Sequence, residues 1–260
     1  MIHRTALALL LAALASLAFA QAPAQKPPAA YEPTPFQEGK DVVWVPTPQV
    51  LVDKMLDMAK VTPADFVIDL GSGDGRTVIT AAKRGARAMG IEYNPDMVEL
   101  SKRNAAIEGV SGKATFVKAD LFETDFSRAT VITMFLLPSI NMTLRPKILA
   151  LKPGTRIVSN SFDMEDWKAD EVADLSASGA CSVSYCTSLL WIVPARVAGT
   201  YNIPQGFLVL EQNFQMLTGT LRTEGRNLPV AGRVRGEEVS FTAGGKTYNG
   251  RITGKILELR

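Results

Sequence analysis

The chain has 260 residues, 47% of them hydrophobic, and a formal net charge of +2. That length suffices for one full α/β domain plus a small partner, and so small a charge gives no bulk electrostatic case for nucleic acid. The single histidine, His3, lies in a segment expected to be removed, which excludes a His base, a Ser-His-Asp triad and a His-ligated metal from the mature chain.

Met1 to Ala20 holds His3 and Arg4, an Ala/Leu run from Thr5 to Phe19, and the ending Ala18-Phe19-Ala20. This is the pattern of a secretory signal peptide with an A-x-A cleavage site. The run is short for a membrane span of roughly 20 apolar residues. A periplasmic mature chain beginning at Gln21 is therefore expected, with an uncleaved inner-membrane anchor as the alternative. Residues 21–40, with Pro23, Pro27, Pro28, Pro33 and Pro35, read as an extended linker. A domain is expected over 41–196. In it, Val42 to Val45 is apolar, and Thr47 and Pro48 read as N-cap and first residue of a helix with the stripe Leu51, Met55 and Met58.

Phe66 to Ile68 is an apolar run suited to a buried parallel strand, followed by Asp69-Leu70-Gly71-Ser72-Gly73-Asp74-Gly75-Arg76. Val78, Ile79, Ala81 and Ala82 then give a helical face. Strand, glycine turn and helix open a nucleotide-binding α/β fold, because glycines let a ligand approach the backbone and the helix N-terminus. The spacing is not the G-x-G-x-x-G of a dinucleotide site, and carboxylates at Asp69 and Asp74 would repel a pyrophosphate. A positively charged ligand without phosphate suits the turn better, and S-adenosylmethionine fits that description. A second strand, Ala86 to Glu92, ends in a carboxylate about twenty residues past the glycines, placed to accept ribose hydroxyls. A third, Ala114 to Lys118, leads to Asp120-Leu121-Phe122, placed to take an adenine amino group and pack on its ring. Each feature alone has a plain structural reading; three at the ends of successive strands point to a ligand.

Asn94-Pro95-Asp96 opens the next helix. Thr130 to Leu137 reads as the fourth strand and Thr155 to Asn160 as the fifth. Asp163-Met164-Glu165-Asp166-Trp167 is either an acidic loop attractive to a cationic acceptor or a solvated turn with Trp167 covering the core. Glu171 to Leu175 and Tyr185 to Val193 read as an antiparallel hairpin completing the sheet. Cys181 and Cys186, at odd separation, would face opposite sides of a regular strand, so a bridge requires a loop or bulge between them; export permits oxidation. Beyond Pro194 the pattern changes to short alternating runs separated by glycine turns, a β-meander of about six strands forming a module over 197–260. From Met216 onward eight Lys/Arg stand against four Asp/Glu, a net +4, whereas residues 21–215 carry −3. Such a surface either docks an anionic partner or bilayer or is merely solvated.

The chain resembles the class I S-adenosylmethionine-dependent methyltransferases. Within them it is similar to the small lysine methyltransferases that modify the adenine nucleotide translocase and the c-ring protein of ATP synthase. The likeness rests on Val45-Pro46-Thr47-Pro48, Asp69 to Arg76, Phe135-Leu136-Leu137-Pro138-Ser139, and Gly154 to Ser159, and spans roughly Asp41 to Trp167. It implies a seven-stranded, mostly parallel, Rossmann-like sheet, with the lead-in around Trp44 closing over the cofactor. Thr47, Asp69, Gly71, Ser72, Gly73, Gly75, Glu92, Asp120 and Leu121 would bind S-adenosylmethionine. Phe135, Leu137, Pro138, Ser139 and Asn141 would shape the acceptor site, with Ser139 and Asn141 either orienting an amine or capping a helix. The acceptor implied is a nucleophile such as a protein lysine, membrane-associated substrates included. A binding protein that keeps the nucleoside pocket without transferring methyl groups is the alternative.

Overall fold

In the computed structural model, residues 31–176, 179 and 181–260 are described. The expected signal peptide and the first half of the expected linker lie outside them. The first sheet is built from β1 (Phe66–Leu70), β2 (Arg87–Glu92), β3 (Ala114–Lys118), β4 (Val131–Met134), β5 (Arg156–Asn160), β6 (Glu171–Asp174) and β7 (Thr187–Ile192). Its order is β3-β2-β1-β4-β5-β7-β6. The first five strands run parallel, and β7 is antiparallel to both β5 and β6. β1 sits in the middle because its residues are apolar on both faces. Val67 packs with α1 (Gln49–Met58), α2 (Arg76–Lys83) and α3 (Pro95–Ile107), whereas Ile68 and Leu70 pack on the other face with α4 (Pro138–Leu149). Neighbouring side chains on a strand point to opposite faces, so this central strand feeds two cores.

The same alternation positions polar groups. Asp69 follows Val67 on the α1–α3 face and is in register with Thr133 of β4. Helix α1 begins at Gln49, with Pro48 in an extended conformation as its cap and no side-chain cap. Thr47 is therefore not the N-cap. Its hydroxyl accepts instead from Asn160 Nδ2 at 3.3 Å, and its carbonyl from Arg76 Nη1 at 3.0 Å, which ties the lead-in to β5 and to α2.

Residues 34–44, in part assigned to the linker from composition, form a hydrogen-bonded loop. Phe36 N–H donates to the Trp44 carbonyl at 2.8 Å, and Trp44 N–H to the Gln37 carbonyl at 2.9 Å. Cys181 and Cys186 form a disulfide in the loop between β6 and β7, just ahead of β7 rather than within it.

The C-terminal module is a second sheet of seven antiparallel strands, one more than the alternating runs suggest. These are β8 (Gly199–Ile203), β9 (Gly206–Asn213), β10 (Met216–Thr223), β11 (Arg226–Arg235), β12 (Glu238–Ala243), β13 (Lys246–Thr253) and β14 (Ile256–Leu259), each beside its chain neighbours. β11 carries Pro229 and Gly232, which weaken its sequence signal; Pro229 pairs with β10 alone, since β12 joins only from Val230. The module has its own core around Leu208, Leu217, Val234 and Phe241, and it is joined firmly to the first sheet. Phe214 stacks on Trp167 at 5.9 Å, Gln215 Nε2 donates to the Lys168 carbonyl at 2.7 Å, and Ala195 N–H donates to the Gly236 carbonyl at 2.7 Å. Arg233 and Arg235 pair with Asp170 and Glu171. The module thus helps to cover the methyltransferase-like core.

Candidate functional site

The C-terminal ends of β1, β2, β3 and β4 meet in one pocket, roofed by residues 37–47 and lined by Asp69, Gly71, Ser72, Gly73, Glu92, Asp120, Leu121 and Phe135, with Thr47 and Trp44 on the roof. The glycine turn that forms its floor is held from both sides. Gly71 and Ser72 N–H groups donate to the Ile91 carbonyl at 2.9 and 3.0 Å, and Ser101 Oγ donates to the Gly73 carbonyl at 2.8 Å. Gly73 and Gly75 have φ of +53° and +82°, a left-handed conformation that costs a residue with a Cβ. A Cβ on Gly73 would lie 2.5 Å from the Trp44 indole nitrogen, and one on Gly75 2.7 Å from Phe116. The indole, not open space, meets Gly73.

Glu92 ends β2 and grips two backbone donors. Its Oε2 accepts from Gly73 N–H and its Oε1 from Asn94 N–H, both at 2.9 Å. Each oxygen keeps a lone pair for a further donor, so the residue can serve hydroxyls in the pocket while fixing the turn. Asp69 is buried and accepts from Thr133 Oγ1 at 2.6 Å. Burial pushes its pKa up to about 7; the Thr133 hydrogen bond opposes that, and the nearby Glu92 and Asp74 carboxylates add to it. Asp74 plays a different part from the one its charge suggests. Arg76 binds it through Nε at 3.0 Å and Nη2 at 2.5 Å, so its charge is neutralised beside the pocket. Ser72 Oγ is buried with no hydrogen-bond partner among the described residues, a group a bound ligand can satisfy.

At the other end, Asp120 Oδ1 accepts from Phe122 N–H at 2.9 Å while Oδ2 receives Lys40 Nζ at 2.6 Å. The ammonium also lies 5.2 Å from the Tyr93 ring centre and 5.6 Å from that of Phe122. The Lys40 ammonium holds the Asp120 carboxyl below the usual carboxylate range, and the hydrogen bond to Asp120 raises the Lys40 pKa in turn. Lys40 and Tyr93 carry no signal in the sequence: the first looks like linker and the second like a turn residue.

The residues expected at the acceptor side separate. Phe135 lines the pocket and stacks on Phe162 at 5.9 Å and against Tyr185 at 5.4 Å. Leu137, exposed, is the cap residue of α4, Pro138 is its first residue, and Ser139 is exposed one residue on. Ser139 caps nothing, since no side chain caps α4. Asn141 is buried and donates to the Phe162 and Asp163 carbonyls at 3.2 and 3.1 Å. It braces the loop after β5 and is not among the pocket-lining residues. In that loop Trp167 is buried, Trp191 Nε1 donates to its carbonyl at 2.7 Å, and Asp166 pairs with Arg145. Phe162 and Tyr185 reach Phe135 only through the fold, as they lie 27 and 50 residues from it, and neither lines the pocket itself.

This set suits S-adenosylmethionine: a glycine turn that lets a ligand approach the backbone, a gripping Glu92, an orphaned Ser72 hydroxyl and the Asp120 carboxylate at the other end of the pocket. Residues 69–171 match the family model described as the ANTKMT methyltransferase domain. Over 134 residues the chain is 48% identical to a protein-lysine N-methyltransferase of Saccharolobus islandicus, covering 50% of this chain and 83% of that protein. It is 36% identical over 119 residues to the adenine nucleotide translocase lysine N-methyltransferase of Mus musculus, covering 45% of this chain and 52% of that protein. A solved RNA methyltransferase from Salinibacter ruber, in complex with S-adenosyl-L-homocysteine, is 44% identical with a TM-score of 0.54 and covers 59% of this chain and 96% of that one. A half-chain likeness centred on the pocket, together with the strand order and the glycine turn, settles the family: this chain belongs to the S-adenosylmethionine-dependent methyltransferases of the ANTKMT domain family.

Proposed function

We propose that the enzyme methylates a lysine ε-amine of an exported protein. The observation that carries the acceptor class is the character of the wall beyond Phe135. Phe135, Phe162 and Tyr185 offer carbon rings, and the exposed acids Asp163 and Glu165 follow Phe162 directly. Rings and carboxylates suit an alkyl ammonium; a polyanion such as RNA would meet repulsion there. The likeness to a protein-lysine N-methyltransferase points the same way.

When bound, S-adenosylmethionine supplies a methyl group already activated on a sulfonium. The chain's residues have the remaining tasks. Glu92 and the glycine turn hold the nucleoside, Asp120 offers an acceptor at the adenine end, and Phe135 closes the side where a nucleophile enters. Alignment and exclusion of water can supply roughly 7–11 kcal/mol of barrier lowering. A lysine must be neutral when it attacks, and with no histidine beyond His3 its proton leaves to water before the transfer.

Export rests on the N-terminal pattern and on the Cys181–Cys186 disulfide, a bond that persists in oxidising compartments. The test of both readings is incubation of the purified chain with labelled S-adenosylmethionine and either periplasmic protein or transfer RNA, followed by mass spectrometry of lysines. Label in RNA alone would reject the lysine reading. N-terminal sequencing should find Gln21 in the envelope fraction; Met1 on a cytosolic protein would reject export.

A further inference from the structure

Tyr185 lies in the short loop closed by the Cys181–Cys186 disulfide, one residue before the second cysteine. Its ring packs at 5.4 Å, tilted by 34°, on Phe135, whose other neighbour is Phe162. Both partners are fixed from behind. Phe162 has its carbonyl held by Ser159 Oγ at 2.7 Å and by Asn141 Nδ2, and Phe135 follows directly on β4. Tyr185 lacks such a strand at its own position, because β7 begins only at Thr187. The covalent loop closure supplies what the strand does not, since a bridge restricts the conformations open to the residues it encloses.

We propose that Tyr185, seated on Phe135 by the Cys181–Cys186 bridge, is a specificity-determining residue that forms the outer wall of the acceptor channel and packs along the acceptor's alkyl chain. This rests on the reading of an aliphatic amine acceptor, but it concerns the wall rather than the amine. Phe135 lines the cofactor pocket, and Tyr185 and Phe162 pack on it, so the rings continue that wall outward and offer faces to a methylene chain. Opening the bridge frees the loop, so the wall is lost while the cofactor pocket, built on β1 to β4, is left intact.

The experiment compares two ligands by calorimetry. One is S-adenosylhomocysteine; the other is its analogue with nitrogen in place of sulfur carrying a 2-(butylamino)ethyl chain, whose inner amine stands where an acceptor nitrogen would meet the methyl and whose butyl end reaches into the acceptor channel without turnover. In the wild-type enzyme the chain should tighten binding. Tyr185→Ala and the double change Cys181→Ser, Cys186→Ser should each remove roughly three- to thirtyfold of that gain and leave S-adenosylhomocysteine affinity unchanged. Tyr185→Phe should keep the gain, because packing and not the hydroxyl is at work. The same analogue with a heptyl chain, which lacks the inner amine, separates the two readings. If it binds as well as the chain with the amine and still depends on Tyr185, the wall stands and the lysine reading fails. A Tyr185→Ala enzyme that keeps the whole gain, a wild type that shows none, or equal losses for both ligands would each overturn the proposal. Unchanged S-adenosylhomocysteine affinity certifies that the variants remain folded.

Discussion

At neutral pH Asp69 is balanced between acid and carboxylate, because burial holds its pKa at about 7 against the pull of the Thr133 hydroxyl. From about 3.8 to about 7 the folded chain keeps a proton that the unfolded chain has released, so stability falls as pH rises across that window. Asp69→Asn should flatten this decline in urea unfolding of the ligand-free protein, since Asn can still accept from Thr133. A ligand bearing positive charge in the pocket favours the carboxylate. Binding of S-adenosylmethionine should therefore release a proton near pH 7, seen as binding enthalpies that differ between buffers of different ionisation enthalpy. Equal enthalpies would remove Asp69 from the binding event. Glu92 presents the complementary case. Glu92→Ala deletes the acceptor for Gly73 N–H along with any contact to ligand hydroxyls, and charge-assisted hydrogen bonds contribute roughly 1.5–3 kcal/mol. Affinity should fall about ten- to a hundredfold by calorimetry. Asp74→Ala should cost less, because Asp74 is committed to Arg76; equal losses would sink the distinction.

The loop of residues 34–44 is the element that ties pocket and roof together. Trp44 meets Gly73 and Lys40 meets Asp120, so the roof touches the floor at both ends. Gly73→Val would drive a branched Cβ into the indole and force a left-handed φ on a residue that resists it. Loss of S-adenosylmethionine binding with an unchanged far-UV spectrum is expected. Retained affinity in a folded variant would move the site elsewhere. Lys40→Met should act in the opposite direction. It frees Asp120 for the ligand, and since both side chains are partly solvated the gain should be modest and should shrink further in salt. Weaker binding in that variant would instead make Lys40 a ligand contact.

For the whole molecule, the question is whether the C-terminal sheet can be removed. Truncation near Ala198 strips Phe214 from Trp167, leaves the almost fully buried side chain of Asp170 without Arg233, and deletes the Gly236 carbonyl that receives Ala195. The truncated chain should be insoluble or melt well below the full chain. Arg233→Ala alone should cost about 1 kcal/mol, because Arg233 stays half in water and Asp170 still accepts from Ile192 N–H. A soluble truncated protein with an unchanged melting temperature would show the sheet to be independent. The net +4 of this region is also partly committed, since Arg233 and Arg235 pair with acids of the preceding domain.

By itself the sequence determined the order of strands and helices through β5, the glycine turn, and the acids Glu92 and Asp120 at successive strand ends. These are local signals: apolar runs set strands, glycines set the turn, and parallel strands gather their C-terminal ends. The bridge between Cys181 and Cys186 was open in the sequence, because spacing tells only that a loop is needed. Tertiary structure decided what depends on distant partners. Thr47 turned from cap to brace because Asn160 lies beside it, and Asn141 turned inward to the Phe162 and Asp163 carbonyls. Arg76 cancelled the Asp74 charge at close range. Lys40 came to face Asp120 across 80 residues, and Phe135 gained Phe162 from past the end of β5 and Tyr185 from the loop ahead of β7, with no shared pattern. The meander was legible as short strands, but its docking was not. Contacts such as Phe214 on Trp167 depend on which faces two sheets present to each other, and alternation along one strand carries no record of that.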